Sequence, residues 1–210
     1  MGYESPMPVQ EEVIPFLLGD DNDVIALAQT GTGKTAAFGL PILQKIDVTT
    51  YHPQALVLCP TRELCLQIAD DLNDYSKYID NLKVLPVYGG SSIESQIKTL
   101  KRGVHVVVAT PGRLLDLMNR KTVDLSLVKN VIMDEADEML NMGFTDSINA
   151  ILAEVPENRN MLLFSATMPK EIANITKKYM KNPKEIVIGN KNEGNKNIRD
   201  IYYMVQALSL

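Results

Sequence analysis

Cysteine, histidine and tryptophan are scarce or absent in this sequence. Its 210 residues include no tryptophan, two histidines and two cysteines, Cys59 and Cys65. The two thiols stand six residues apart, a spacing that matches neither a zinc-binding pattern nor the framework of a disulfide-rich protein. We therefore expect both cysteines to be reduced and buried, as in a cytoplasmic protein.

Long apolar runs and an excess of positive charge are also missing. No run approaches the roughly 20 apolar residues of a membrane-spanning helix, and no secretory signal is visible. The net charge is −5, so the chain is not a uniformly basic nucleic-acid binder, and any contact with nucleic acid must use a local patch or backbone amides. The apolar fraction of 45% and the charged fraction of 22% are typical of a soluble globular protein. We expect a cytoplasmic monomer with no membrane partner.

What the chain does contain is a regular alternation of short apolar runs and helical patterns. Strands are predicted at 24–28, 55–59, 83–88, 105–109, 128–133, 160–165 and 184–188, since most of these runs lack the polar alternation of a half-exposed strand. Helical patterns occupy 9–18, 34–46, 62–78, 92–101, 112–119, 136–152 and 169–180. The alternation predicts an α/β fold with a mostly parallel sheet of about seven strands, flanked by helices on both faces. Ligands of such sheets bind at the carboxyl ends of the strands.

The sequence changes character after residue 189. Residues 190–197 are rich in asparagine, glycine and lysine and contain no apolar side chain, which is typical of a linker. A strand-like pattern then resumes at 198. We interpret 1–189 as one domain and 198–210 as the start of a second domain. The alternative is that the last strand closes an edge of the same sheet.

A glycine-rich turn separates the first predicted strand from the helix at 34–46. The segment from Ala28 to Thr35 reads Ala-Gln-Thr-Gly-Thr-Gly-Lys-Thr. In this context the backbone N–H groups form an anion cradle, Lys34 reaches the β- and γ-phosphates of a nucleotide, and the Thr35 hydroxyl binds Mg²⁺. The usual pattern begins with glycine rather than Ala28, and an ordinary turn is the alternative. The candidate nucleotide-binding residues are Gln29, Thr30, Gly31, Thr32, Gly33, Lys34 and Thr35.

Acidic residues follow the strand predicted at 128–133. The sequence there is Asp134-Glu135-Ala136-Asp137. In a nucleotide hydrolase the first acid at this place holds Mg²⁺ through water, and the next can polarise the attacking water. Acids that merely favour a helix N-terminus are the alternative. Together with the phosphate loop, the pattern favours Lys34, Asp134 and Glu135 as catalytic residues.

Hydroxyl, glycine and arginine residues follow four other strands. Ser165 and Thr167 follow the strand at 160–165, where they either cap a helix that begins near Pro169 or bind the acidic cluster; the residues alone favour capping. Three turns at the same sheet edge contain helix-start residues or glycines, which suit contacts with phosphates. Taken singly, each turn is explained by the residues that turns ordinarily require. Their residues are Pro60, Thr61, Arg62, Gly89, Gly90, Thr110, Pro111, Gly112 and Arg113.

In their order along the chain, these motifs resemble those of the N-terminal RecA-like domain of DEAD-box ATP-dependent RNA helicases, a P-loop NTPase domain. The acidic segment spells the family's name, and the family's phosphate loop begins with alanine. Residues 2–10 resemble its adenine-reading Q motif. The resemblance implies that Gln10 hydrogen-bonds the adenine of ATP and that Tyr3 stacks on it.

The resemblance also implies the partners and the remaining roles. The three turns would bind RNA through its phosphates and sugars, which carries little sequence preference. Asp137 would hydrogen-bond Ser165 and Thr167 and couple ATP turnover to strand separation, so coupling is favoured over capping. ATP and Mg²⁺ are the implied cofactors.

A second RecA-like domain in the same polypeptide would complete the ATP and RNA sites and supply arginine fingers. Because such fingers contribute ~10³–10⁵ in rate, the chain alone is expected to hydrolyse little ATP. A DNA translocase of the same superfamily and an ATP-dependent RNA clamp without unwinding remain as alternatives.

Overall fold

The computed structural model describes residues 5–19 and 23–188. Tyr3, the interpreted linker at 190–197 and the strand-like pattern from 198 lie outside these residues. The helices are α1 (Pro8–Gly19), α2 (Lys34–Gln44), α3 (Arg62–Tyr75), α4 (Ile93–Lys101), α5 (Pro111–Asn119), α6 (Ala136–Asn141), α7 (Thr145–Glu154) and α8 (Lys170–Tyr179). The strands are β1 (Val24–Leu27), β2 (Ala55–Leu58), β3 (Val84–Val87), β4 (Val106–Ala109), β5 (Asn130–Met133), β6 (Asn160–Ser165) and β7 (Lys184–Val187).

The seven strands form one sheet in the order β3-β4-β2-β5-β6-β1-β7, and every pair is parallel. The predicted α/β fold with a parallel sheet is therefore confirmed. All residues of β1, β2, β4 and β5 are buried. Strands buried throughout require helices on both faces of the sheet.

Successive side chains of one strand enter two different hydrophobic cores. In β2, Leu56 and Leu58 lie in one core, whereas Ala55 and Val57 lie in the other. This follows from the alternation of side chains across a pleated strand. Continuous apolar strands are therefore what this sheet requires, because neither face is open to water.

The prediction of one helix over 136–152 is wrong. The chain turns between α6 and α7 at Gly143, which has a φ of 82°. The N–H of Gly143 donates to Leu140 O at 2.9 Å, and the N–H of Phe144 donates to Met139 O at 3.0 Å. This pair of bonds is the glycine-dependent helix ending known as the Schellman motif, in which a left-handed residue satisfies the last carbonyls.

Both cysteines are buried and free, as predicted. The neighbouring Cys65 thiol and, to a smaller extent, burial raise the pKa of the Cys59 thiol. Within the described ranges, we find no helix with the length and apolar character that crossing a membrane requires.

Candidate nucleotide site and nucleic-acid interface

The carboxyl edge of the sheet carries the predicted site residues in two neighbouring halves. The phosphate loop, Asp134 and Ser165 lie at the ends of β1, β5 and β6, which are adjacent in the sheet. The three turns predicted to bind RNA follow β2, β3 and β4, which form the other half. Because β2 pairs with β5, the two halves are continuous.

The phosphate loop has the backbone that an anion cradle requires. Gly31 and Gly33 have φ values of 77° and 78°, a left-handed conformation that other residues rarely adopt, and α2 begins directly after them. The Thr32 hydroxyl donates to Gln29 O at 2.8 Å, and Ala28 N donates to Ser165 O at 3.0 Å. These bonds fix the loop at the N-terminus of α2, where anions bind favourably.

Lys34 and Asp134 form a buried ion pair at the centre of this half. Lys34 Nζ lies 3.4 Å from Asp134 Oδ1, and the two residues are only 7% and 3% exposed. Burial raises the pKa of Asp134, and the positive charge of Lys34 opposes that shift. The pair joins the end of β5 to the phosphate loop across the intervening β6.

The oxygen donors at this place suit Mg²⁺. A hydroxyl at Thr35 and a carboxylate at Asp134 are hard ligands, and Mg²⁺ is usually bound by one or two such groups, with phosphates and water completing its shell. In the described part of the chain, no group of three His, Cys, Asp or Glu residues comes together as a metal site. The Thr35 hydroxyl and the Asp134 carboxylate are thus groups that fit Mg²⁺.

Glu135 has an unusual backbone conformation for a residue other than glycine. Its φ is 52°, its N–H donates to Asp134 Oδ1 at 3.0 Å, and it precedes the first residue of α6. Left-handed backbone costs about 1–2 kcal/mol, and such strain is concentrated at functional sites. Burial, then the neighbouring Asp134, raise the pKa of Glu135, although the side chain is only half-buried.

Asp137 contacts both predicted partners, but in different ways. Its Oδ2 accepts hydrogen bonds from Thr167 N at 3.0 Å and Thr167 Oγ1 at 2.8 Å. The Ser165 hydroxyl instead accepts from the backbone N–H of Asp137 at 3.3 Å. The α8 helix begins after Pro169 without a side-chain cap, so the capping interpretation of Ser165 and Thr167 is wrong. Their coupling role stays a prediction.

Gln10 is buried against the phosphate loop. It is only 4% exposed, its Nε2 donates to Gly33 O at 3.2 Å, and its Oε1 accepts from Met7 N at 2.9 Å. A side-chain amide has a second donor and a second lone pair, so these bonds leave capacity for adenine. The adenine contact of Gln10 stays a prediction. Spacing alone gave no signal for its contact with Gly33.

The turn after β2 caps a helix and presents a cation. The Thr61 hydroxyl accepts from Leu64 N at 3.2 Å at the N-terminus of α3, while Pro60 is buried. Arg62 is exposed, and its guanidinium carbon lies 5.0 Å from the centroid of the Tyr88 ring. This cation–π contact holds Arg62 beside the turn that follows β3.

Arg113 braces that same turn. Both of its Nη atoms lie 3.2 Å from Ser91 O, and Nη1 also donates to Gln96 Oε1 at 3.0 Å. The buried Gln96 amide donates in turn to Tyr88 O at 3.1 Å and Ser91 Oγ at 2.7 Å. The sequence did not single out Gln96 or Tyr88, because neither belongs to a recognisable motif.

The glycines of the two turns lie open to solvent. Gly89, Gly90 and Gly112 are exposed, whereas Thr110 and Pro111 are buried at the start of α5. Gly90 has a φ of 81°. Exposed glycine backbones and the N-terminus of α5 can approach phosphates closely. At the turns after β3 and β4, exposed backbone N–H groups are therefore accessible to a ligand, whereas the Arg113 guanidinium is already hydrogen-bonded within the protein.

The model of the DEAD/DEAH box helicase family matches residues 7–175. The chain belongs to this family. It is 51% identical over 205 residues to "ATP-dependent RNA helicase DeaD" of Mycobacterium tuberculosis strain H37Rv, covering 98% of this chain and 36% of that protein. It is 47% identical over 208 residues to the protein of the same name in Escherichia coli K12, and the match covers 99% of this chain and 33% of that protein.

Solved structures of family members share the fold. A DEAD box protein from Methanococcus jannaschii matches with a TM-score of 0.84 and 46% identity, over 89% of this chain and 50% of that one. A hypothetical ATP-dependent RNA helicase from Sulfolobus tokodaii matches with a TM-score of 0.81 and 44% identity, over 90% of this chain and 54% of that one. The chain spans about a third of the length of the curated relatives and about half of these two structures.

Proposed function

We propose that this chain is the nucleotide-binding half of an ATP-dependent RNA helicase, which couples ATP binding and hydrolysis to local separation of RNA duplexes. The buried Lys34–Asp134 pair beside the glycine cradle carries the proposal. A lone buried ion pair gives a protein little stability, but these two groups together suit a phosphate chain and its cation. The two relatives named as ATP-dependent RNA helicases support ATP and RNA as the ligands.

The nucleotide half would act by positioning ATP. Backbone N–H groups of the loop and Lys34 would bind the phosphates, and Gln10 and Tyr3 would contact the adenine. Thr35 and Asp134 would hold Mg²⁺, Asp134 through water. The cation supplies charge neutralisation on the phosphates. Glu135 orients the attacking water and accepts its proton, a task that its raised pKa suits.

The RNA half would bind the sugar-phosphate backbone. Gly89, Gly90, Gly112 and the N-terminus of α5 offer N–H groups, and Arg62 offers a guanidinium beside them. Contacts of this kind position a strand without reading its bases, and they allow a chain of net charge −5 to bind a polyanion locally.

A second RecA-like domain in the same polypeptide would close both halves. We propose that it supplies the arginine finger that stabilises the charge of the transition state. On this view the chain alone binds ATP and RNA weakly and hydrolyses ATP slowly. The whole protein would act as a monomer in the cytoplasm.

The test uses the protein with its second domain attached. ATPase activity is measured with RNA or DNA of equal length, and displacement of a short RNA duplex is followed in the same buffer. We expect stimulation by RNA and ATP-dependent displacement. Stimulation by DNA alone would instead indicate a translocase, and RNA-stimulated turnover without displacement would indicate a clamp.

A further inference from the structure

A cavity lies at the amino edge of the sheet, opposite the phosphate loop. It has a volume of about 650 Å³ and is lined by residues next to the first residues of β1, β2, β5, β6 and β7. Cavities of this size hold small molecules. The cavity is separated from the phosphate loop by the length of β1, about 13 Å at 3.3 Å per residue.

Cations outnumber carboxylates in the described lining. Lys45, Lys129, Arg159 and Lys181 line the cavity against one carboxylate, Asp23. Lys45 already has an interaction partner, so we assign no role to it. Asp20 and Asp21 lie outside the described residues and are given no place in the site.

The charge of Asp23 is already engaged by backbone donors. Asp23 is 4% exposed, and its two oxygens accept from Met161 N at 2.6 Å and Lys181 N at 2.5 Å. A carboxylate held in this way joins β6 and the segment before β7 to the start of β1. Lys181 Nζ donates to Glu157 O at 3.1 Å, so Lys129 and Arg159 are the two cations available to another acceptor.

One buried donor in the lining lacks an acceptor. Arg159 Nη1 donates to Pro156 O at 2.7 Å, but the buried Arg159 Nε has no partner within the described residues. A buried donor without a partner destabilises the protein, because it has lost its hydrogen bonds to water. Asn130, which is 7% exposed, lines the same cavity and carries a second donor group, its side-chain amide. One acceptor-rich ligand in the cavity could contact both residues.

We propose that this cavity binds a phosphate group, either as inorganic phosphate or as the phosphate ester of a molecule no larger than a mononucleotide. Arg159 forms the fork that phosphate oxygens match, Lys129 adds an exposed charge, and Asn130 and Asn182 donate from their amides. The site is separate from the phosphate loop and does not depend on the proposed function.

The test is a titration of the 210-residue chain, labelled with ¹⁵N, with sodium phosphate and with AMP. The Nε–H of Arg159 and the side-chain amide of Asn130 report on the cavity, whereas the amides of Gly31 and Gly33 report on the loop. The Lys34→Ala variant removes binding at the loop, and sodium chloride of equal ionic strength controls for salt.

We expect the cavity signals to shift saturably, with the same Kd in wild type and in Lys34→Ala. Lys129→Gln and Arg159→Gln should each weaken binding about tenfold, the loss expected for one charge-assisted hydrogen bond, while Lys101→Gln on α4 should not. A lower Kd for AMP than for phosphate would identify an ester as the ligand. Cavity signals that do not move, or that move equally in all variants, would overturn the proposal. Since Lys129 is exposed, its variant remains informative if Arg159→Gln does not fold.

Discussion

Lys34 Nζ lies 3.4 Å from Asp134 Oδ1 in a setting where both groups are almost completely removed from water. Among the described residues, each charge is therefore the main charged partner of the other. A nucleotide with its cation would replace both partners at once. Binding would therefore exchange one set of charge contacts for another, and neither Lys34 nor Asp134 would be left without a partner of opposite charge.

The Lys34→Ala variant should lose ATP binding and stability together. We expect ATP affinity to fall at least about tenfold, and the free energy of unfolding to fall by about 3 kcal/mol, because Asp134 is left buried without its partner. Calorimetric titration with ATP and urea denaturation measure the two effects. Lys101→Ala, an exposed lysine of α4, is the control. Unchanged ATP affinity would contradict the role given to Lys34.

Two glycine variants separate backbone strain from contact with Gln10. Both Gly31→Ala and Gly33→Ala place a side chain on left-handed backbone, at a cost of about 1–2 kcal/mol. A Cβ at Gly33 would also lie 2.5 Å from Gln10 Nε2 and 2.7 Å from Met7 Sδ, whereas one at Gly31 meets nothing within 4 Å. Urea denaturation should show a larger loss for Gly33→Ala. Equal losses of unfolding free energy in the two variants would mean that the Gln10 side chain is not packed closely against Gly33.

Removal of the Glu135 charge should separate binding from hydrolysis. In the two-domain protein, we expect Glu135→Gln to bind ATP and RNA normally but to turn over at least ~10²-fold more slowly, since general-base catalysis contributes about that much. Glu138→Gln, an exposed position on α6, is the matched control. Steady-state ATPase assays with saturating RNA make the comparison, and normal turnover by Glu135→Gln would exclude this residue from catalysis.

The same variant should change the pH dependence of stability. Burial and Asp134 raise the pKa of Glu135, so the folded state holds its proton to a higher pH than the unfolded state does. The favourable contribution is full below the ordinary glutamate pKa and is lost as pH rises through the raised value. Glu135→Gln should therefore melt above wild type at pH 8, and the difference should be small because the side chain is only half-buried and solvent screens its charge. At pH 4 the two melting temperatures should converge; a constant difference would contradict the assignment.

Loss of the Thr167 hydroxyl tests the proposed coupling. Thr167→Val removes the bond to Asp137 Oδ2 while it keeps the shape of the side chain. In the two-domain protein we expect ATP turnover to stay close to that of wild type and duplex displacement to slow about tenfold, as expected for the loss of one hydrogen bond. Thr176→Val, at a half-buried position of α8 whose hydroxyl donates to Ala173 O, controls for loss of a hydroxyl. Equal reduction of both activities would assign Thr167 to structure alone.

Local chemistry explains which parts of the fold were predictable from the sequence. The strands that carry the phosphate loop and Asp134 are continuous apolar runs, and these give a strong signal because both faces are covered. The single helix predicted at 136–152 is interrupted at Gly143, whose left-handed backbone ends α6. A glycine at this position is a known signal for a helix end, but the apolar residues on both sides of it continue the helical spacing.

The contacts within the site were less predictable than its location. Resemblance placed Arg113 and Gln10 on ligands, but the structure shows both side chains hydrogen-bonded within the protein, to Ser91 and Gly33 respectively. These partners lie 22 and 23 residues away along the chain. Contacts at such separations depend on how loops pack, which neither periodicity nor motif spacing encodes.

The strand order sets a size requirement for any partner that acts on the whole edge. From β3 to β1 there are five strand intervals, which at 4.8 Å each amount to about 24 Å. In the proposed function, ATP binds at one end of this width and RNA binds at the glycine turns of the other end. A second domain that contacts both ligands in this arrangement would have to span at least this width. That width is close to the diameter of a small globular domain.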